Sequence, residues 1–237
     1  MKTIRLAYTA IISFFVAGIA GEVSANKDLE EIESIDSVGS IHLAIERNAT
    51  YRGRVSENTD QTSLGLELSS YGFSAGLRQI DQKQSDLTAY FVSYSYNFNV
   101  FNLSVGAQRD DPILKRDEAF VEIIVPAKAY VEAKISYFHA IEGKGSDYLD
   151  FQVSRPWVLA NGQWMAKPYA LISAGDYYAD DFSFNHFEIG ADVTYMLTKN
   201  LFLSAYGSLV TPLENVKDAG FESDTKVNGG LILRYTF

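Results

Sequence analysis

The chain has 237 residues, a formal net charge of −10, 47% hydrophobic and 14% aromatic residues, and no cysteine. This composition supports an extensive apolar face and excludes disulfides, thiol chemistry and cysteine-ligated metal sites. The acidity argues against nucleic-acid binding, which rests on a clustered positive field.

Residues 1–25, "MKTIRLAYTAIISFFVAGIAGEVSA", open with Lys2 and Arg5, continue with an apolar run to Ala20 and end on the small residues Val23, Ser24 and Ala25. That order is a secretory signal peptide cleaved after Ala25. Residues 26–40 form an acidic leader, "NKDLEEIESIDSVGS", expected to hang in the periplasm or enter the structure that follows. No later stretch reaches the roughly 20 consecutive apolar residues of a membrane-spanning helix.

From Ile41 onward apolar residues recur at every second position, the period of a strand. In "HFEIGADVTYML" Phe187, Ile189, Ala191, Val193, Tyr195 and Leu197 share one face, opposite His186, Glu188, Gly190, Asp192 and Thr194. The pattern predicts twelve strands, near 41–51, 62–69, 72–80, 88–98, 101–108, 118–125, 129–139, 147–157, 163–175, 184–197, 200–210 and 226–237. Most match the roughly 9–11 residues a tilted strand needs to cross hydrocarbon. Long polar connections such as "RGRVSENTDQ", "DQKQSDL" and "TPLENVKDAGFESDT" alternate with tight ones such as "SYG", "FNV" and "TKN". The expected fold over 41–237 is therefore an all-β, single, antiparallel up-and-down transmembrane barrel of twelve strands, with short periplasmic turns and longer extracellular loops. An even strand count lets the first and last strands meet, so no edge is left unpaired in lipid.

Aromatic residues fall into two bands, as expected at the two headgroup levels. Tyr71, Phe73, Phe98, Phe101, Trp157, Trp164, Tyr195, Phe202, Tyr235 and Phe237 lie near the short turns, and Tyr51, Tyr148, Tyr177 and Tyr178 near the long loops.

The polar phase of the strands gives the expected pore lining: Glu46, Glu67, Arg78, Glu122, Glu132, Lys134, Asp150, Glu188, Asp192 and Arg234. Seven acids stand against three bases, which favours cations or neutral polar solutes over anions. Gly65, Ser74, Gly76, Ser93, Ser95, Ser104, Gly106, Ser136, Ser154, Gly190, Ser204 and Ser208 lie between them and leave space for water. Alternatively the charges pair across the interior and plug it, with Glu132 and Lys134 as one such pair.

Two residues sit awkwardly in this scheme. Arg47 falls on the apolar phase, where an arginine at mid-membrane costs about 2–4 kcal/mol, so a bulge at Arg47–Asn48 or a place near the headgroups is expected. Pro168 interrupts a strand that has no free edge, which predicts a bulge there.

No cofactor is expected. A lipid-modifying enzyme would need a nucleophile, a base and an orienting group at the outer rim, and Ser146, His139 and Asp147 are the residues of those types. The loop acids Asp110, Asp111, Asp180 and Asp181 read as solvated, with a cation bridge to lipopolysaccharide as the alternative.

A signal peptide, a strand-only remainder and a final Phe237 with Tyr235 two positions before it resemble the signature of Gram-negative outer-membrane proteins. That resemblance implies that the barrel-assembly machinery reads the last strand. The stretch "YRGRVSENTDQTSLGLEL" is also similar to the TorF family of porin-like proteins, through Tyr51, Arg52, Gly53, Ser56 and Gly65, with Arg54 as an extra residue before Val55. The resemblance implies a channel, and the composition of the expected lining makes it one for small polar solutes, surrounded by outer-membrane lipid and lipopolysaccharide. A structural or adhesive barrel with partner-binding loops is the competing expectation.

Overall fold

The computed structural model describes residues 37–48, 50–51, 54–55, 60–82, 85–109, 117–126, 131–141, 146–160, 162–176, 178, 181–220 and 224–237. The signal peptide and most of the acidic leader lie outside the described residues, as do Asp110, Asp111, Tyr177 and Asp180.

The strands are β1 (Ser37–Arg47), β2 (Thr50–Tyr51), β3 (Arg54–Val55), β4 (Asp60–Ser70), β5 (Phe73–Gln82), β6 (Ser85–Asn97), β7 (Asn102–Arg109) and β8 (Asp117–Val125). They continue as β9 (Glu132–Ala140), β10 (Asp147–Ser154), β11 (Trp157–Leu159), β12 (Trp164–Gly175), β13 (Ser183–Met196), β14 (Leu201–Pro212) and β15 (Lys226–Thr236). One five-residue helix, α1 (Glu214–Asp218), follows β14. Among the described residues no helix is long and apolar enough to cross a membrane.

All strands except the β2–β3 hairpin belong to one antiparallel sheet, which the β10–β12 pairing closes on itself. β11 prolongs β10 along the same neighbour, so the wall is a closed barrel of 12 strands. β1 begins at Ser37, earlier than the expected start at 41, and pairs with β15 from Ser40↔Thr236 to Arg47↔Gly229. Phe237 extends this ladder: Gly39 N–H donates to Phe237 O at 2.9 Å and Phe237 N–H to Gly39 O at 2.8 Å.

Burial alternates along the strands as the sequence does, most cleanly in β1 and β4. The outward face carries Ile41, Leu43, Ile45, Leu64, Leu66, Leu68, Leu231 and Leu233, each at least 40% exposed. In water such a girdle of exposed leucine would drive aggregation, but in lipid it is the matching surface. Outward rings gather at the short-turn end, where Phe73–Tyr94 and Trp164–Tyr195 lie 4.7 and 4.5 Å apart between centroids. Tyr71 and Gly72 both take positive φ, 50° and 84°, the geometry of a two-residue hairpin turn. Glycine is required at the second position, because a Cβ there would lie 2.6 Å from Ser95 O.

Several local expectations change. The β5–β6 connection is only residues 83–84, since Gln82 pairs with Ser85, so it is no longer than the short turns. Tyr148 is 1% exposed and faces inward, where it forms a buried cluster with Phe138 against which Tyr178 packs, so these two tyrosines are not part of an outer aromatic band. Phe202 likewise lies on the inward phase of β14, two positions from the inward Ser204 and four from buried Tyr206.

The β12–β13 register runs unbroken through Pro168↔Ala191, so Pro168 does not make a bulge. Its carbonyl accepts from Arg155 N–H, which puts its missing N–H on the same side, where the ladder is already interrupted between β10 and β11 at Arg155–Pro156. The bulge in β13 lies instead at Asn185, between Phe184 and His186 and opposite Ser173/Ala174. Arg47 ends β1 opposite Asp60, the first residue of β4, and Asn48 turns the chain with φ 53°. That position is at the long-loop rim, where an outward arginine reaches the headgroups.

Candidate functional site

The inward face holds the chemistry. Glu46, Glu67, Arg78, Glu122, Lys134, Glu188, Asp192 and Arg234 are all buried inside the barrel, and Glu132 and Asp150 are half-buried there. The two-residue period brings them to this face; the lateral register decides which of them meet.

On the β14–β15–β1–β4–β5 wall Glu46 is the hub. Its Oε2 accepts from Gln61 Nε2 and Arg78 Nη2, both at 2.9 Å, and its Oε1 accepts from Tyr206 OH at 2.9 Å. Arg78 Nε donates to Ser63 Oγ at 2.9 Å. A carboxylate and a guanidinium held at 0% and 5% side-chain exposure are tolerable only with such bonding, since an unpaired buried charge is heavily penalised. Tyr206 reaches Glu46 across Gly230, where a Cβ would lie 2.8 Å from its ring.

The β7–β13 wall carries smaller linkages. Ser136 Oγ donates to Glu122 Oε2 at 2.9 Å, and Lys134 Nζ lies 3.4 Å from the same oxygen. Glu132 Oε1 takes Lys167 Nζ at 2.5 Å and Ser154 Oγ at 3.1 Å. The expected Glu132–Lys134 pair is thus replaced: both residues point inward from β9, where Lys134 meets Glu122 on the adjoining β8 and Glu132 meets Lys167 on β12, across β10. Tyr169 OH donates to Glu188 Oε1 at 2.6 Å, and His186 Nδ1 lies 2.6 Å from Ser173 Oγ. Gln108 Nε2 donates to Glu118 Oε2 at 3.0 Å.

The glycines do not leave the expected gaps. A Cβ at Gly65, Gly76, Gly106 or Gly190 would lie within 2.7 Å of the ring of His42, Phe91, Phe120 or Tyr169 respectively. Each glycine makes room for a large neighbour that fills the barrel. Hydroxyls remain accessible on β6 and β7, where the Ser95–Ser104 pair at 2.8 Å is exposed.

At the outer mouth α1 turns its Asn215 and Val216 into the fold, both fully buried. Asn215 Nδ2 donates to Gly175 O and, at 2.6 Å, to Oδ1 of the bulged Asn185. The last long loop is thereby fastened to β12 and β13.

On the outward rim His139 Nδ1 lies 2.7 Å from Asp147 Oδ1, which also accepts from Tyr137 OH at 2.6 Å. Ser146 is buried at 8% exposure while His139 and Asp147 are half-exposed, so the serine lies on the opposite side of the wall from the base it would need. The rim therefore holds a Tyr–His–Asp cluster in place of a nucleophile–base–acid set.

Sequence reading missed His42, Gln61, Gln108, Glu118, Lys167, Tyr169, His186 and Tyr206, all on the inward phase. The same parity that selected the other ten contained them.

No family model matches the sequence, and no curated protein does. Solved structures do match. One described as "KdgM porin" superposes with TM-score 0.59 at 13% identity, covering 84% of this chain and 99% of that one. The barrel is porin-like. A second structure, "KdgM porin in complex with disordered oligogalacturonate", gives TM-score 0.58 at 13% identity with the same coverage. The NanC porin in a rhombohedral crystal form gives 0.54 at 9% identity, covering 83% of this chain and 98% of that one. At such identities the porin-like likeness is one of architecture, and function is argued from the interior itself.

Proposed function

We propose that this chain is a narrow, passive channel of a Gram-negative outer membrane, exported by residues 1–25 and folded there through its final strand. The observation that carries the reading is the acid-rich polar interior inside a closed barrel with an apolar outer face. A protein built only to sit in lipid has no use for that many buried ionisable groups, each of which is expensive without water or a partner. The ten groups Glu46, Glu67, Arg78, Glu122, Glu132, Lys134, Asp150, Glu188, Asp192 and Arg234 would line the route, with the excess of acids favouring cationic and neutral polar solutes over anions. The accessible hydroxyls of Ser95 and Ser104 supply its uncharged stretch. The porin-like architecture supports this reading; Tyr51, in the stretch that resembles the TorF family, pairs with Arg54 in the β2–β3 hairpin of the first outer loop.

The closed bonding around Glu46 and the rings over the glycines favour a second reading, a structural barrel whose outer loops bind partners. Planar-bilayer recording on the refolded protein separates the two. Discrete conductance steps with cation preference in a salt gradient are expected; a folded barrel silent at every voltage overturns the channel.

A further inference from the structure

Two acid–guanidinium pairs occupy the β15–β1–β4–β5 wall, and they are treated differently. Glu46 and Arg78 touch at 2.9 Å. Arg234 and Glu67 are buried to a similar degree, at 8% and 5% exposure, and act electrostatically on one another, yet no hydrogen bond or ion pair joins them. Around this open pair Arg234 Nε, both ring nitrogens of His42 and Ser40 Oγ are buried without a hydrogen-bond partner. Unmet buried donors and acceptors are rare, and four atoms together mark a place where something else belongs.

The register explains the arrangement. His42 lies directly between Arg234 on β15 and Gly65 on β4, and Ser40 lies opposite Glu67. Because Gly65 has no side chain, the imidazole leans over it, with Cε1 2.2 Å from where a Cβ would be. The ring thus inclines away from β15 and does not bond the guanidinium. The β15 flank offers a cation, the β4 flank a carboxylate with the Ser40 hydroxyl opposite it, and the imidazole stands between them.

Resting on the channel reading, we propose that Arg234, Ser40, His42 and Glu67 form a subsite for a small zwitterion of the α-amino acid class. The solute's carboxylate accepts from Arg234, and its ammonium donates to Glu67 and to the Ser40 hydroxyl oxygen opposite it. A simple anion would meet Glu67 unfavourably and a simple cation would meet Arg234, whereas a solute carrying both charges close together complements the pair.

The test is osmotic swelling of liposomes containing the refolded full barrel, using L-alanine, lactate and protonated 2-amino-1-propanol, which are close in size and differ in charge, with glycerol as the neutral reference. Alanine is expected to enter several-fold faster than either singly charged analogue. Arg234→Gln and Glu67→Gln are each expected to bring alanine down to the rate of the analogues, a change of roughly tenfold or less for one lost charged partner. The wild-type comparison decides the matter even if a variant fails to fold. Glycerol entry with no preference for alanine overturns the subsite alone, as does a preference that survives both folded variants; exclusion of glycerol and all three test solutes overturns the channel reading beneath it.

Discussion

At the short-turn end the barrel is held by backbone geometry and outward rings, whereas at the long-loop end more of the holding falls to side chains that bridge strands and loops. Near the turns, Phe237 and Gly39 exchange two backbone hydrogen bonds, Tyr71–Gly72 makes a two-residue turn and the Trp164 ring lies tilted against Tyr195. Near the loops, Asn215 fastens α1 to Gly175 and Asn185, Arg109 grips Asp117 through Nε at 2.6 Å and Nη2 at 2.8 Å, and Glu46 gathers Gln61, Arg78 and Tyr206. The first kind of contact is set by chain direction and survives most side-chain changes. The second depends on individual atoms, so the outer end is where a substitution can loosen the structure without dismantling it.

That contrast can be broken most severely at Phe237. Deleting it removes two closing hydrogen bonds, worth about 1 kcal/mol each, together with an aromatic residue at the membrane interface. Assembly is expected to suffer far more than any activity of the molecules that do assemble. Immunoblots of outer-membrane fractions, with heat-dependent gel mobility as the fold marker, measure this; unchanged levels of the truncated protein would refute it.

A smaller effect is expected one turn away. Gly72→Val forces a β-branched residue to φ 84° and a Cβ against Ser95 O, which should lower stability by about 1–3 kcal/mol. Gly162 has φ 87° but nothing within 4 Å, so Gly162→Ala should lose only about 1 kcal/mol. Urea unfolding midpoints of the two refolded variants give the comparison, and an equal loss in both would mean that contact with Ser95 contributes nothing.

The smallest change in global stability belongs to the outer end. Asn215→Ala removes two hydrogen bonds and leaves Asn185 Oδ1 without its donor, about 1–2 kcal/mol felt mainly by the last loop. Limited proteolysis of the refolded barrel should cut within 213–225 faster in the variant, with the unfolding midpoint little moved. A large midpoint shift would show that side-chain fastening at this end supports the whole barrel.

Much of the architecture was legible in the residues. Alternation from Ile41 onward gives strands and their two faces, because successive side chains on a strand point to opposite sides whatever surrounds them. The pairing of the Phe237 strand with β1 follows from the need to leave no edge in lipid. The Arg47 anomaly resolves at the rim, as its position at the end of a strand allowed.

Lateral information was not legible. Glu46 meets Tyr206 from 160 residues away, and Lys134 takes Glu122 while Glu132, two positions off, takes Lys167. The glycines read as empty space because their own side chains are absent, yet the rings that fill them sit on neighbouring strands. Pro168 passes without a bulge because the strand beside it is already interrupted, and Asn185 bulges where no proline or glycine marks the place.

An even-stranded barrel and an acid-rich set of ten ionisable groups on its inward phase were readable from the residues alone, since these follow from a local two-residue period and from charge count. That Arg78 is locked to Glu46 while Arg234 and Glu67 stay unbonded came from the folded sheet. That difference depends on how far each strand is staggered against the next, a property of the closed sheet that no single strand contains.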